Sequence, residues 1–230
     1  MEQVSKQYPG KLAVDRVDFS LRPGVVRALM GENGAGKSSL MKMLAGALAD
    51  YTLHTFVAGK PVSLQSPAQA AACGIGMVYQ ELSTAQPISI GENLLVGRLT
   101  VSAFGLVNRK ALAEEARSCL KQVGLEHLDL EARIKEISQH ETQLVEIAEV
   151  LGRKPNILVM DEPTSALSHS EFERLSEIIH KLRAQGMSII YISHHLPEIF
   201  TIADRVTVMR DGKKSARTIL PMSPGSHWCG

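Results

Sequence analysis

The segment Gly31–Ser38 constrains the fold of this chain more than any other part of its sequence. It fits the pattern G-x-x-x-x-G-K-[ST], with an apolar stretch before it (Val25–Met30) and a helical pattern after it (Lys37–Ala45). In this order of strand, glycine-rich loop and helix, backbone N–H groups and the helix N-terminus can surround phosphate groups. The sequence therefore predicts a phosphate-binding P-loop in an α/β fold.

Two side chains of the predicted P-loop have assigned chemistry. Lys37 can reach the β and γ phosphates of a nucleotide, and Ser38 can ligate Mg²⁺. A dinucleotide-binding loop is the competing interpretation, but the third glycine of G-x-G-x-x-G is missing after Gly34 and Gly36. The sequence therefore favours a P-loop over both that loop and an ordinary glycine-rich turn.

A second motif, Ile157–Glu162, is an apolar strand that ends in two carboxylates. By itself this pattern is weak, because acidic turns after strands are common. Together with a P-loop, it predicts that Asp161 holds Mg²⁺ and that Glu162 polarises an attacking water. The two motifs predict ATP or GTP hydrolysis, and the long separation between them disfavours a small GTPase, which places them closer together.

The order of the predicted elements describes one domain with a helical insertion. Strand and helix patterns alternate in the C-terminal part, as in parallel βαβ units, whereas residues 91–152 show helical spacing without a convincing strand. Near the N-terminus, Val14–Leu21 and Val25–Met30 flank a Pro-Gly turn and predict a hairpin. The predicted division is a core (residues 1–80 and 153–212), a helical subdomain (residues 81–152) and an aperiodic, partly disordered tail (residues 213–230).

Composition disfavours several classes of protein. Lys and Arg number 25 against 24 Asp and Glu, so no overall positive charge is available to hold a nucleic acid. The three cysteines (Cys73, Cys119 and Cys229) form no C-x-x-C pair, so we expect a reducing compartment and neither a disulfide framework nor a zinc site. The strongest apolar runs are far shorter than the roughly 18 residues of a membrane span, so we expect a chain that does not itself cross the membrane.

Several motifs together resemble the ATP-binding cassette (ABC) ATPases of ABC transporters, over nearly the whole chain. They are the P-loop, Gln80 within Met77–Leu82, the run Asp161–Leu167, and Ser193-His194. Further segments are similar to the first cassette of bacterial monosaccharide importers of the ribose, galactose and xylose type: Tyr8–Gly10, Val145–Ala148, Tyr191–His194 and Val208–Gly212. The resemblance implies a P-loop NTPase fold of the ABC type, with a mostly parallel core sheet, an antiparallel β subdomain and an inserted helical subdomain.

The resemblance also implies roles for individual residues of this sequence. Tyr8 would stack on adenine, and Gln80 would touch Mg²⁺ and the attacking water. His194 would contact the γ-phosphate and orient Glu162. A lone surface tyrosine at position 8 and a metal-binding pair at His194-His195 stay open as alternatives. The implied ATP-binding set is Tyr8, Gly31, Glu32, Asn33, Gly34, Ala35, Gly36, Lys37, Ser38 and Ser39; the catalytic set is Glu162, His194 and Gln80; the metal set is Ser38, Gln80 and Asp161.

One motif departs from the pattern of the family. The signature loop, Leu-Ser-Gly-Gly-Gln or a relative, aligns with Ile137–Glu141, where Ser138, His140 and Glu141 are the implied site residues. In the family this loop presents backbone N–H groups and the serine hydroxyl to the γ-phosphate bound on the opposite cassette, and a glycine permits the close approach. His140 replaces the second glycine, so we expect its imidazole to obstruct that contact and to slow hydrolysis by the chain alone.

The activity that the resemblance implies is ATP hydrolysis that drives monosaccharide import. The implied cofactors are ATP and Mg²⁺. The implied partners are a second ABC cassette in the same or a tandem chain, membrane permease subunits and, through the permease, a periplasmic sugar-binding protein, with no nucleic acid. The chain would then lie on the cytoplasmic face of the bacterial inner membrane as a peripheral protein. The sequence does not specify which sugar is imported.

Two alternative functions stay open. Both ends look abbreviated beside the family, whose monosaccharide importers carry two cassettes in one longer chain. A truncated or frameshifted cassette that binds ATP with little hydrolysis is therefore one alternative. The other is a soluble, non-transport ABC ATPase of DNA repair or translation, which the balanced charge and the lack of a long coiled-coil insertion disfavour.

Overall fold

The computed structural model describes residues 1–48, 52–80, 84–85, 87–96, 109–164 and 167–219. In this part of the chain the strands are β1 (Glu2–Tyr8), β2 (Lys11–Val17), β3 (Val26–Met30), β4 (Thr52–Val57), β5 (Lys60–Val62), β6 (Ile75–Val78), β7 (Ile157–Asp161), β8 (Ser188–Ile192), β9 (Arg205–Arg210) and β10 (Lys213–Ile219). The helices are α1 (Lys37–Leu44), α2 (Pro67–Ala72), α3 (Ile90–Leu94), α4 (Arg109–Gln122), α5 (Gln139–Gly152), α6 (His169–Ala184) and α7 (Leu196–Ile202), with a short 3₁₀ turn at Ile134–Glu136.

The larger sheet is the mostly parallel core that the sequence predicts. Its strand order is β10-β9-β3-β8-β7-β6, in which all neighbours are parallel except the antiparallel pair β9 and β10. The central strand β8 is buried along its whole length. The continuous apolar runs of β7 and β8 are typical of strands buried on both faces, because helices cover both sides of a parallel sheet. The predicted fold class is confirmed.

The smaller sheet is antiparallel, with strand order β2-β1-β4-β5, and confirms the predicted β subdomain. The predicted hairpin between Val14–Leu21 and Val25–Met30 is wrong, since β2 pairs with β1 whereas β3 lies between β8 and β9 in the larger sheet. The side chains of Val26, Ala28 and Leu29 are fully buried, as a central strand requires. The Pro-Gly turn therefore carries the chain from one sheet to the other.

The predicted boundary of the tail is also wrong in part. Residues 213–219 form β10, which pairs with β9 from Lys213 opposite Arg210 to Ile219 opposite Arg205. β10 is an edge strand, and charged side chains such as those of Lys213 and Lys214 are common on edge strands. Its sequence therefore lacks the apolar pattern by which a strand is predicted. The rest of the predicted tail, residues 220–230, lies outside the described residues.

Three α-helices lie in the described part of the segment between the two parts of the core. α3, α4 and α5 pack on one another through an apolar cluster that includes Leu94, Leu120 and Leu144, and α5 also contacts β6. The helical layer is thus attached to the edge of the core sheet. Among the described helices, none combines the length and hydrophobicity that crossing a bilayer requires.

The order of the core strands brings three loops together. The P-loop follows β3, Glu162 follows β7, and Ser193-His194 follows β8. Parallel strands place their carboxyl ends at one edge of the sheet, and β8 lies between β3 and β7. Segments that are far apart in sequence therefore meet at this edge.

Candidate active site

The P-loop turns tightly between β3 and α1. Gly36, at the N-cap of α1, has a φ of +94°, and a Cβ there would lie 2.3 Å from the carbonyl oxygen of Ala13 in β2. A Cβ on Gly31 would lie 2.3 Å from the carbonyl oxygen of Met209 in β9. Both positions therefore need glycine, and the loop backbone is held closely against β2 and β9.

Lys37 is buried at the base of the loop, with 5% of its surface exposed. Its Nζ donates hydrogen bonds to the carbonyl oxygens of Gly31, at 2.7 Å, and Glu32, at 3.2 Å. The Oε1 atom of Glu162 lies 3.9 Å from the same nitrogen. A buried ammonium needs such partners. The positive charge is thereby fixed between the loop and the end of β7.

Ser38 and Asp161 bring two oxygen ligands together. Ser38 Oγ donates to Asp161 Oδ1 at 3.3 Å. Asp161 is only 2% exposed, and burial raises the pKa of its carboxyl above the ordinary value although the Ser38 hydrogen bond opposes this. A hard divalent cation prefers oxygen ligands and stabilises a charged carboxylate. The pair therefore fits Mg²⁺.

Glu162 is the point where the predicted catalytic residues meet. Its Oε2 accepts a hydrogen bond from Gln80 Nε2 at 3.4 Å, and its Oε1 lies 3.4 Å from His194 Nδ1. Its φ of +48° is in the left-handed region that non-glycine residues rarely adopt, and its N–H donates to the Ile192 carbonyl at 3.1 Å. Such a conformation persists only where the surroundings hold it, which is common at functional sites.

The P-loop and Glu162 line a cleft of about 400 Å³. Its lining is Tyr8, Lys11, Ala13, Asn33, Gly34, Gly36, Lys37, Ser38, Ser39, Gln80 and Glu162. Tyr8 thus lies with the P-loop, whereas Lys11 and Ala13 are lining residues that the sequence did not indicate. Tyr8 and Lys11 pair across the β1–β2 turn, so the short sequence Tyr-Pro-Gly-Lys was the available signal. Of the predicted ATP-binding, catalytic and metal residues, five lie outside this lining: Gly31, Glu32, Ala35, Asp161 and His194.

The predicted signature loop is not part of this cleft. Ser138 is the N-cap of α5, and its Oγ accepts from the Glu141 N–H at 3.2 Å and donates to Glu141 Oε2 at 2.8 Å. His140 is 6% exposed, and neither ring nitrogen has a hydrogen-bond partner. Burial lowers the pKa of this imidazole below its ordinary value.

The structure does not place the His140 ring where it would obstruct the signature loop. A blocking ring would project from the loop, whereas this ring is buried near Glu171 and Arg174 of α6. The preceding residue, Gln139, is exposed instead. The direction of a side chain at the start of a helix depends on what packs against that helix. Two parts of the quoted motifs, residues 81–82 and 165–166, lie outside the described residues.

Known proteins are similar to this chain in sequence. A family profile described as ABC transporter matches residues 14–165. The chain is 46% identical over 210 residues to the ribose import ATP-binding protein RbsA 3 of Rubrobacter xylanophilus, a match that covers 91% of this chain and 42% of that protein. It is 40% identical over 224 residues to the arabinose import ATP-binding protein AraG of Pseudomonas fluorescens, covering 97% of this chain and 43% of that protein. The chain thus spans about two fifths of the length of these curated relatives.

Solved structures share the fold. A nucleotide-free ATP-binding cassette from an ABC transporter superimposes with a TM-score of 0.83 at 27% identity, covering 96% of this chain and 90% of that one. A dimeric bacterial ABC transporter cassette superimposes with a TM-score of 0.82 at 22% identity, covering 96% and 98%. The second likeness concerns the fold alone. With a family profile over most of its length and relatives above 40% identity, this chain belongs to the ABC transporter family.

Proposed function

We propose that this chain binds ATP with Mg²⁺ and hydrolyses it, and that the hydrolysis drives import of a monosaccharide. The observation that carries the proposal is the convergence of Gln80 and His194 on Glu162, at the edge of a cleft that the P-loop lines. Gln80, Glu162 and His194 are far apart in sequence. Their meeting beside a buried lysine favours a catalytic site over a structural turn.

Nucleotide binding follows from the two ends of the cleft. Lys37 and the loop N–H groups offer positive charge and donors to the β and γ phosphates. Tyr8 lines the same cleft and offers its ring to a base, with Lys11 beside it. The Lys37 ammonium would exchange its bonds to loop carbonyl oxygens for bonds to phosphate oxygens, which is a charge-assisted gain.

The residues that would hold Mg²⁺ are Ser38, Asp161 and Gln80, through their side-chain oxygens. When bound, the ion supplies charge neutralisation between the phosphate groups. Asp161 must be ionised for this role. The burial that raises its pKa therefore opposes the role until a positive charge compensates.

Glu162 is the group that we propose to take a proton from the attacking water. Gln80 holds one carboxylate oxygen and His194 lies beside the other, so the carboxylate is oriented from both sides. A positioned general base is worth roughly 10²–10⁴ in rate. His194 also carries a ring nitrogen that can meet the γ-phosphate once nucleotide fills the cleft.

The transport part of the proposal rests on the relatives, which are named as import ATP-binding proteins for ribose and arabinose. We propose a second cassette as pairing partner, with the signature loop facing the nucleotide of that partner. The helical segment, residues 81–152, is proposed as the subdomain that contacts membrane permease subunits, to which a periplasmic sugar-binding protein delivers its ligand. The chain would then lie on the inner membrane from the cytoplasmic side.

A second candidate function is a cassette that binds ATP but hydrolyses little when alone. The observation that favours it is the separation of the signature loop from the chain's own cleft. In this second proposal, a second cassette completes the site by supplying its own signature loop.

Glu162→Gln tests the central assignment, because it keeps the shape of the side chain and removes its charge. We expect ATP affinity to stay within about threefold and phosphate release to fall by roughly 10²–10⁴. Glu173→Gln is the matched control, since Glu173 is an exposed carboxylate of α6 that does not line the cleft. Unchanged turnover in Glu162→Gln would contradict the assignment.

Reconstitution with the membrane subunits of a ribose or arabinose importer tests the transport part. We expect ATP-dependent sugar uptake into vesicles with at least one of them. Turnover without uptake with every such permease would contradict monosaccharide import.

A further inference from the structure

Glu198 of α7 is a point where four parts of the core meet. One of its oxygen atoms, Oε2, accepts hydrogen bonds from Thr164 Oγ1 at 2.8 Å, Ser193 Oγ at 2.8 Å and Tyr191 OH at 2.9 Å. Thr164 follows β7, Tyr191 lies in β8, and Ser193 follows β8. Three hydroxyls on one carboxylate oxygen are more than packing of a helix on a sheet requires.

The hydrogen bond between Glu198 and Ser193 fixes the backbone around His194. A serine hydroxyl has one hydrogen to donate, and Ser193 gives it to Glu198. The Ser193 Oγ atom also accepts a hydrogen bond from the backbone N–H of His195 at 3.0 Å. His194 therefore lies between two residues that a single hydroxyl connects, and that hydroxyl takes its direction from Glu198.

The hydrogen bond between Glu198 and Thr164 fixes the segment that carries Glu162. Thr164 lies two residues after Glu162, and the N–H of Glu162 is already bonded to the Ile192 carbonyl. Between them, the Pro163 carbonyl accepts a hydrogen bond from the side chain of Gln143. With Thr164 bonded to Glu198, each residue from 162 to 164 has an anchoring hydrogen bond.

The three donors depend on this carboxylate because they are shielded from water. Thr164, Ser193 and Tyr191 are 8%, 1% and 0% exposed. Burial raises the pKa of the Tyr191 phenol well above its ordinary value, so it stays protonated and donates. A buried hydroxyl that loses its acceptor must turn to find another. Loss of Glu198 would therefore displace both loops.

We propose that Glu198 is a positioning residue that holds Glu162 and His194 in register for hydrolysis. Glu198 does not line the cleft, so it acts through the two loops and not on the nucleotide. This inference rests on the proposed function, since it presumes that Glu162 and His194 carry out the chemistry. Outer groups that orient catalytic ones are typically worth 10- to 100-fold in activity.

The test compares Glu198→Ala and Glu198→Gln with the wild-type chain by steady-state ATP hydrolysis and nucleotide titration. For the alanine variant we expect kcat to fall by roughly 10- to 100-fold while ATP affinity stays within about twofold. The glutamine variant keeps an acceptor oxygen, so we expect it to recover part of the lost kcat. Asp204→Asn is the matched control, because Asp204 accepts from the Val26 N–H and pairs with Arg183 away from the two loops.

A merely structural role predicts a different pattern. Glu198→Ala would then lower the melting temperature as Asp204→Asn does, with kcat per folded molecule unchanged, and that result would overturn the inference. Should Glu198→Ala fail to fold, Thr164→Val and Ser193→Ala carry the test. Each removes one donor, and each is expected to lower kcat at constant ATP affinity, whereas unchanged kcat in both would again overturn it.

A double variant separates this inference from the proposed function. With His194→Ala already present, Glu198→Ala should cost less than it does in the wild-type chain, because one of the two groups that it positions is gone. Full additivity would contradict positioning of His194. Unchanged turnover in Glu162→Gln would instead refute the proposed function, whatever Glu198 does.

Discussion

The cleft around Glu162 and the loop at the start of α5 are built in opposite ways. In the cleft, side chains from the P-loop, from Gln80 and from His194 lie around one carboxylate, so the important contacts join distant segments. In the loop, Ser138 contacts Glu141 three residues away, and His140 is buried beneath. The cleft is thus assembled from distant segments of this chain, whereas the hydrogen bonds of the loop are local and Gln139 is exposed.

The largest effect that we expect from the cleft concerns Lys37. Lys37→Ala removes a charge that sits where the phosphates would bind, and charge-assisted hydrogen bonds of this kind are worth about 1.5–3 kcal/mol each. We expect ATP affinity to fall by roughly 100-fold or more. Fluorescent nucleotide titration measures this, with Lys121→Ala, at an exposed helix end, as control. Equal affinities for the two variants would break the assignment of the cleft.

The corresponding change in the loop should act on stability and not on binding. His140→Gly removes a buried ring and places glycine in the first turn of α5, so we expect the free energy of unfolding to fall by about 1–3 kcal/mol. His127→Ala is the control, because the His127 ring is 63% exposed and lies 3.5 Å from Glu141 in the first turn of the same helix. Urea unfolding measures both.

The turnover of His140→Gly sharpens the comparison further. With the ring turned inward, turnover per folded molecule should stay within about twofold. An obstructing ring would instead have cost on the order of 10²–10³ in rate, as removal of an oxyanion-type donor does. A rise of tenfold or more on substitution would show that the ring blocks the loop after all.

The smallest expected effect is the pH dependence that His140 gives to stability. Burial lowers its folded-state pKa below the usual 6.5, with Glu171 and Glu141 opposing and Arg174 adding to the shift. Below pH 6.5 the unfolded chain therefore binds the proton first, so stability is full above that pH and falls as pH drops toward the folded-state pKa. The loss is at most about 1.4 kcal/mol per pH unit. Urea unfolding at several pH values should show this component in the wild-type chain and not in His140→Gly; equal slopes would contradict it.

Sequence reasoning went furthest where a short pattern sets the local geometry. The positions of the P-loop glycines, of Lys37 and of the carboxylates at the end of β7 follow from short patterns, because the backbone of a single turn sets where their groups lie. Strand pairing was harder. β3 carries an apolar run that suits either a hairpin or a central strand, and its neighbours β8 and β9 lie more than 150 residues away in sequence.

Side-chain direction was the other quantity that sequence could not supply. The loop motif alone predicts that an imidazole at position 140 obstructs the loop. In the structure the ring is buried near Glu171 and Arg174 of α6. Glu198 likewise looks like an ordinary helix glutamate. Its three hydroxyl partners belong to segments that only the parallel sheet brings together.

The most direct test of the account is to mix two inactive chains. Glu162→Gln lacks the base but keeps its signature loop, and Ser138→Arg blocks the loop but keeps its cleft. If one cassette's loop completes the other's cleft, each variant alone should hydrolyse little, and an equal mixture should regain about a quarter of wild-type turnover, because half of the pairs then contain one competent site. A mixture that is no more active than its components, or full turnover by Ser138→Arg alone, would contradict the composite site.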